Sequence, residues 1–322
     1  MWLIIAVISY LINAGVYVAD KFLLSKKIHS SISYAFFVGI WSIFNFIILP
    51  LDFWLPNLQE LGLDILAGVL FLVTLIFWYK ALHQSEATRV VPIVGALVPV
   101  FSFILSFIFL GQSLSERELL AFLILIGGGL LISIKQTKFY LFRQVRERVR
   151  FVFGDILGGI HAAYRPTQRL ILNSVTSALF FAAYYVLIKY IYMHQPFVGA
   201  FVWSRLGSFI ASVSILLIPA WRHSIKESRS DSGGQSGNLF FFFSVRLLAA
   251  FAFIMLNWAI SKGNVALINS LQGVQYVFLI LLVLFISAKY PKVSEEELGG
   301  GVLIQKVIGA TLVSAGLYML IT

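Results

Sequence analysis

Four side chains able to make directional hydrogen bonds, Asn269, Gln272, Gln275 and Tyr276, stand in the long apolar stretch from Ala259 to Ile286. No charged residue interrupts that stretch between Lys262 and Lys289. Positions three, four and seven apart share a helix face, so Asn269, Gln272 and Tyr276 form one stripe, with Gln275 at its border. Amides and phenols surrounded by hydrocarbon need partners, and such a stripe must face other helices or a wet cavity, not lipid. It can serve as interhelical hydrogen bonding or as the polar wall of a substrate path. Two cations lie deeper than the rest. Arg205 and Arg246 each fall seven or eight residues inside an apolar run, roughly 10–12 Å from the helix end at a rise of about 1.5 Å per residue. A guanidinium at that depth either snorkels to the interface or faces a cavity, where it can bind a substrate carboxylate or phosphate bidentately. Asn13, Tyr17, Tyr79, Tyr184 and Asn257 complete the set of candidate substrate-binding residues with Arg205, Arg246, Asn269, Gln272 and Tyr276; Tyr10, Tyr185 and Trp258 are further lining candidates.

The rest of the titratable inventory argues against other chemistries. The fourteen Asp and Glu read as run ends or loop residues, with Asp52, Glu60 and Asp64 assigned to the second loop. Proton coupling normally needs an ionisable group at membrane depth, so facilitated diffusion or exchange is favoured over proton antiport. His29, His83, His161, His194 and His223 show no metal-ligand spacing, and neither a P-loop, a dinucleotide fingerprint nor a nucleophile elbow is present. No catalytic residue, metal site or cofactor is expected. The absence of cysteine excludes disulfides and thiolate sites.

The elements that must position these residues follow from composition. Of the 322 residues, 60 % are hydrophobic and only 12 % charged, too little charge to cover a soluble protein of this size. The apolar residues gather in runs of about 20, the length that crosses a hydrocarbon core of about 30 Å. The expectation is an all-α, multi-pass integral membrane protein of the cell (inner) membrane. Ten runs can be drawn, at 2–25, 32–51, 61–83, 87–110, 118–135, 170–193, 197–219, 239–261, 264–288 and 301–321. The first, opening Met1-Trp2 without a basic flank, reads as a membrane helix and not a signal peptide. Pro92 and Pro99 lie inside the fourth run and predict a kink there.

Between the fifth and sixth runs lies a basic insert in which Phe142, Val145, Val149, Val152, Ile156 and Ile160 recur at helical steps opposite Arg143, Arg146 and Arg150. This pattern predicts an amphipathic helix at 136–169 lying against anionic lipid headgroups, which also accounts for much of the +10 formal charge without nucleic acid. The second insert, from Arg222 to Asn238, reads as a solvated loop. Lys and Arg concentrate in the odd-numbered loops, which places those loops in the cytoplasm and both termini outside.

Four short segments echo between the halves. Gly15–Lys21 matches Ala183–Lys189, and Val98-Pro99-Val100-Phe101 matches Gln275-Tyr276-Val277-Phe278. Ser115–Leu119 matches Ser294–Leu298, and Ile126–Leu130 matches Ile308–Leu312. Their order is kept. Because five spans is an odd number, a second quintet must lie inverted relative to the first, an arrangement that puts a binding site between the halves near the midplane. The predicted organisation is a five-helix repeat over 1–135, an interfacial linker over 136–169 and a second five-helix repeat over 170–322.

These residues, with Ala81-Leu82, Ala87, Pro99-Val100-Phe101, Leu110-Gly111-Gln112-Ser113-Leu114-Ser115, Lys21 and Lys189, resemble the drug/metabolite transporter superfamily, specifically its EamA-like ten-helix members. The resemblance implies two inverted five-helix repeats around a central cavity and alternating-access transport of amino acids, nucleotide sugars or other small metabolites. It also implies both termini in the cytoplasm, the reverse of the loop-charge reading. Where such proteins often carry acidic residues beside these motifs, this chain has Val98, Gln112 and Gln275. A lipid or lipid-sugar flippase on the same fold is the alternative, a membrane-embedded enzyme a more remote one, and a homodimer is left open.

Overall fold

The computed structural model describes residues 1–24, 31–84, 87–133, 168–230, 239–289 and 300–321. The predicted interfacial helix over 136–169 lies almost wholly outside them, as does the second half of the Ser294–Leu298 echo. Within them the chain is helical: α1 (Trp2–Leu24), α2 (Ser31–Trp41) continued by a 3-10 segment (Ser42–Leu51), α3 (Leu58–Gln84), α4 (Ala87–Leu110) and α5 (Glu116–Ser133). There follow α6 (Gln168–His194), α7 (Phe197–Ile215), α8 (Pro219–Ser230), α9 (Leu239–Lys262), α10 (Val265–Ser270), α11 (Gln272–Lys289) and α12 (Gly300–Ile321).

Six segments among the described residues are long and apolar enough to cross a membrane: Ser31–Leu51, Leu58–Leu82, Ile93–Leu110, Arg169–His194, Phe197–Ile215 and Ser244–Lys262. Trp2–Val16, Val265–Leu279 and Gln305–Ile321 are shorter apolar helices. The chain is therefore an all-helical, multi-pass integral membrane protein. Its outer face suits lipid: Phe44, Ile47, Phe109, Leu172, Leu247 and Phe285 are all more than half exposed, as hydrocarbon-facing side chains should be.

Helix starts follow local chemistry. Asn57 and Glu60 exchange bonds at the head of α3, the Glu60 carboxylate accepting the Asn57 N–H at 2.8 Å and the Asn57 side chain accepting the Glu60 N–H at 2.9 Å. Ser115 and Glu118 do the same ahead of α5. Both are capping boxes that satisfy donors a helix leaves open. Gly111 turns the chain between α4 and α5 with φ +62°, a conformation glycine adopts without a Cβ clash.

Three elements differ from the sequence reading. The second run changes from α to 3-10 geometry at Ser42, with Asn45 donating to the Ser42 carbonyl at 2.9 Å and Pro50 contributing no N–H. The insert after α7 is helical from Pro219 to Ser230 because Trp221 and Ile225 recur at helical spacing; Ile225 is buried, while Arg222 and His223 are exposed. The ninth run is broken at Leu271 into α10 and α11. Tyr10 of α1 donates to the carbonyl of Ile268 at that break, 3.0 Å away. The fourth run forms one helix, α4, with Pro92 and Pro99 inside it.

Lipid offers helices little hydrophobic reason to associate, so close packing and hydrogen bonds must do it. Serines supply the bonds: Ser9 donates to Ala252 O at 2.7 Å, Ser208 to Gly68 O at 3.0 Å and Ser212 to Phe36 O at 3.3 Å, joining α1 to α9, α7 to α3 and α7 to α2. Glycines supply the closeness. A Cβ on Gly68 would run into the backbone of Ser204, Gly207 and Ser208, and one on Gly207 into the backbone of Ile65. Gly128 and Gly309 let α5 and α12 meet in the same way.

Gly68→Ala is expected to destabilise the fold by about 1–3 kcal/mol, the cost of forcing packed backbone apart. Gly127→Ala, where a Cβ meets nothing within 4 Å, should leave the melting temperature in detergent unchanged or slightly raised. Equal losses for both variants would refute the close seam.

Candidate functional site

A buried polar cluster is built on three helices. Arg205 is the ninth residue of α7 and is only 2 % exposed. Its Nη2 donates to the Tyr184 hydroxyl of α6 at 2.6 Å. Tyr184 in turn donates to Asn257 Oδ1 of α9 at 3.2 Å, and Tyr192, two turns further along α6, donates to the same oxygen at 3.1 Å. The Asn257 amide nitrogen is tied to the Phe253 carbonyl at 2.9 Å. That bond fixes the amide with its oxygen toward the two phenols.

Aromatic faces enclose the guanidinium. Its Cζ lies 4.4 Å from the ring centre of Phe71, 4.9 Å from Phe253, and 5.5 Å from both Tyr184 and Phe201. Ring quadrupoles stabilise a desolvated cation by roughly 2 kcal/mol each at best. They do not neutralise it. Arg205 Nε has no hydrogen-bond partner, so the cluster is a caged positive charge with donor capacity to spare.

The structure sorts the sequence candidates into three fates. Tyr184, Arg205 and Asn257 are brought together as described. Asn269, Gln272 and Tyr276 form a second group facing α4: Asn269 Nδ2 donates to Ser102 Oγ at 2.8 Å, while the Tyr276 hydroxyl and the Gln272 amide border Gly95. Beside them a cavity with room for about one water molecule is lined by Gly95, Gly129, Ser270, Gly273 and Tyr276. Asn13 and Tyr79 are half-buried on α1 and α3, and the side chain of Tyr17 lies outside the described residues. Arg246 is half-buried near the start of α9, eleven residues and about 16 Å along that helix from Asn257, so it does not join Arg205.

Several members of the cluster were not legible as site residues. Phe71, Phe201 and Phe253 look like any other of the 30 phenylalanines. Tyr192 carried a signal, being eight positions from Tyr184 and seven from Tyr185 on the same helix. Asp64, read from the sequence as a loop residue, is the seventh residue of α3 and is fully buried. An acid inside the third apolar run was the signal. Lys189 is likewise buried within α6, where Nζ donates to the Ser261 carbonyl near the end of α9 at 3.0 Å.

Residues 1–134 match the family model of the EamA-like transporter family, which bears out the resemblance read from the sequence over that part of the chain. That family consists of membrane transporters of small molecules. Among solved structures, one described only as "Crystal structure of protein" aligns over 99 % of this chain and 97 % of that one, with a TM-score of 0.63 at 13 % identity; the similarity is one of fold. No curated protein matches the chain.

Asn257→Leu should leave the Tyr184 and Tyr192 hydroxyls without their shared acceptor, at about 1–3 kcal/mol for each stranded buried group. A clear drop in melting temperature is expected, and an unchanged one would refute the network.

Proposed function

We propose that this chain is a secondary transporter that moves a small polar metabolite bearing an anionic group by alternating access. In this reading residues 1–135 and 170–322 are two five-span halves of opposite orientation joined by the 136–169 linker, and Arg205, Tyr184 and Asn257 hold the substrate. Asn269, Gln272 and Tyr276 serve as a second polar wall, and Asn13, Tyr17, Tyr79 and Arg246 line the path. The linker lies on anionic headgroups.

The observation that carries the reading is Arg205. It is a buried guanidinium surrounded by aromatic faces and a phenol; among the described residues no carboxylate is bonded to it and Nε is unpartnered. A carboxylate or phosphate group entering the cage would supply the missing counter-charge through charge-assisted hydrogen bonds.

The helix packing supports the two-half arrangement. Contacts exchange when the halves are exchanged: α3 packs on α6 as α9 packs on α1, and α4 on α6 as α11 on α1. The pairs α5 with α12, α2 with α7 and α4 with α10 each join equivalent spans across the halves. One seam breaks the pattern. The first half's α3 packs tightly on α7, while α9 and α2 have no comparable contact among the described residues. In an inverted-repeat carrier such asymmetry is what distinguishes one facing state from the other. The tight seam lies toward the even-numbered loops, so this form is closed there. By the distribution of Lys and Arg, that side is external.

Proteoliposome flux with radiolabelled anionic metabolites tests the reading. Arg205→Gln is expected to reduce uptake at least about 100-fold, as loss of a buried charge-assisted contact should, while Arg205→Lys retains part of it. Undiminished uptake by Arg205→Gln would remove the assignment.

A further inference from the structure

The tight α3–α7 seam contains a group that the substrate cage does not use. Asp64 is 0 % exposed, and neither of its carboxylate oxygens has a hydrogen-bond partner. It precedes Ile65, whose backbone meets Gly207 of α7, and lies one turn before Gly68, which meets Ser204 and Ser208. The same seam is closed above by Trp54, whose carbonyl accepts the Trp203 indole N–H at 2.9 Å and whose ring packs on Gly199. An ionised carboxylate shut into that seam would forfeit its hydration without compensation. A protonated one would not.

Among the described residues, the groups around Asp64 do not offer that compensation. On α3 itself Glu60 stands one turn earlier, a like charge occupied in capping the helix. From α6 come Tyr192 and, just past the helix end, Gln195, whose amide approaches Asp64 short of hydrogen-bond geometry. His194 is on the exposed face of α6, its ring against Tyr190 and its Nδ1 paired with the Tyr190 carbonyl. Lys189 is spent on the Ser261 carbonyl. From α7 the nearest cation is Arg205, bonded to Tyr184 and not to Asp64. The α2 helix carries no charged residue, and α4 begins at the opposite end of α3.

We propose that Asp64 is a proton-binding site that governs closure of the α3–α7 seam. When the seam opens, water reaches the carboxyl and a proton leaves to solvent; when a proton returns from solvent, the neutral acid can be buried again with Tyr192 and Gln195 beside it. This goes beyond the substrate assignment and rests on only one part of that reading, that the seam opens.

The chain has no cysteine, which allows a single reporter thiol. Ala200→Cys, at a fully buried position under the closed seam, is placed in otherwise unaltered protein in liposomes of phosphatidylcholine and phosphatidylglycerol. Its reaction with a membrane-impermeant methanethiosulfonate is followed from about pH 5 to about pH 8. Rates are normalised at each pH to Gln59→Cys, an exposed position. Labelling is expected to rise roughly tenfold with pH as Asp64 ionises and holds the seam open. Asp64→Asn should flatten the profile at the slow, closed value; Asp64→Glu and His194→Gln should preserve the rise. Melting temperatures provide the second reading. Asp64→Asn should match or exceed the parent at about pH 8, whereas a loss of stability would mean the carboxylate is held ionised by a partner and would overturn the proposal. A wild-type pH profile in Asp64→Asn overturns it too, with alternating access intact. No labelling at any pH would instead overturn opening at this seam, and the proposal with it, whereas undiminished uptake by Arg205→Gln would overturn the substrate assignment and leave the labelling result standing.

Discussion

A guanidinium within the hydrocarbon layer can be tolerated only if protein replaces its water, and the centre of this molecule is organised by that requirement. Arg205 draws one phenol from α6 and four ring faces from α3, α6, α7 and α9. Those helices must therefore converge on one point. Asn257 then ties the two tyrosines together, and its own bond to the Phe253 carbonyl fixes its orientation. The result is a rigid cluster in which the cation is already desolvated and its neighbouring hydroxyls and amide are held in place by one another.

Convergence on that point depends on backbones coming close. Gly68 and Gly207 allow α3 and α7 to touch, and Ser208 adds a bond to the Gly68 carbonyl across the same contact. Gly128, Gly309 and Gly316 do the equivalent for α5 and α12. Small residues of this kind suit helices that must associate in lipid. They make contacts that are close without deep interlocking of long side chains, so parting them disturbs few rotamers. The broken ninth span belongs to the same logic. At the break the Ile268 carbonyl accepts both the Leu271 N–H and the Tyr10 hydroxyl, so irregular backbone is kept within protein and away from lipid.

Asp64 and Arg205 show why depth along the chain and depth in the molecule are different quantities. Counted from the run boundary, Asp64 is close to a helix end, where water is ordinarily at hand. Packing of α6 and α7 over that end closes it off. Arg205 lies only slightly further along its helix, yet it is surrounded by rings contributed from four helices.

The sequence by itself determined the class of molecule. Twenty-residue apolar runs with almost no charge point to membrane-embedded helices, which satisfy the backbone within each segment. It also singled out Tyr184, Arg205 and Asn257, because polar groups at membrane depth are few enough to stand out. What only the tertiary structure decided was their grouping: that these three meet each other while Arg246 stays apart, that Asn269 pairs with Ser102, and that three ordinary phenylalanines and Tyr192 belong with the arginine. The reason is physical. A helical period fixes which side chains share a face on one helix, but which faces meet is set by small residues and packing between helices far apart in the chain, and no local spacing encodes that choice.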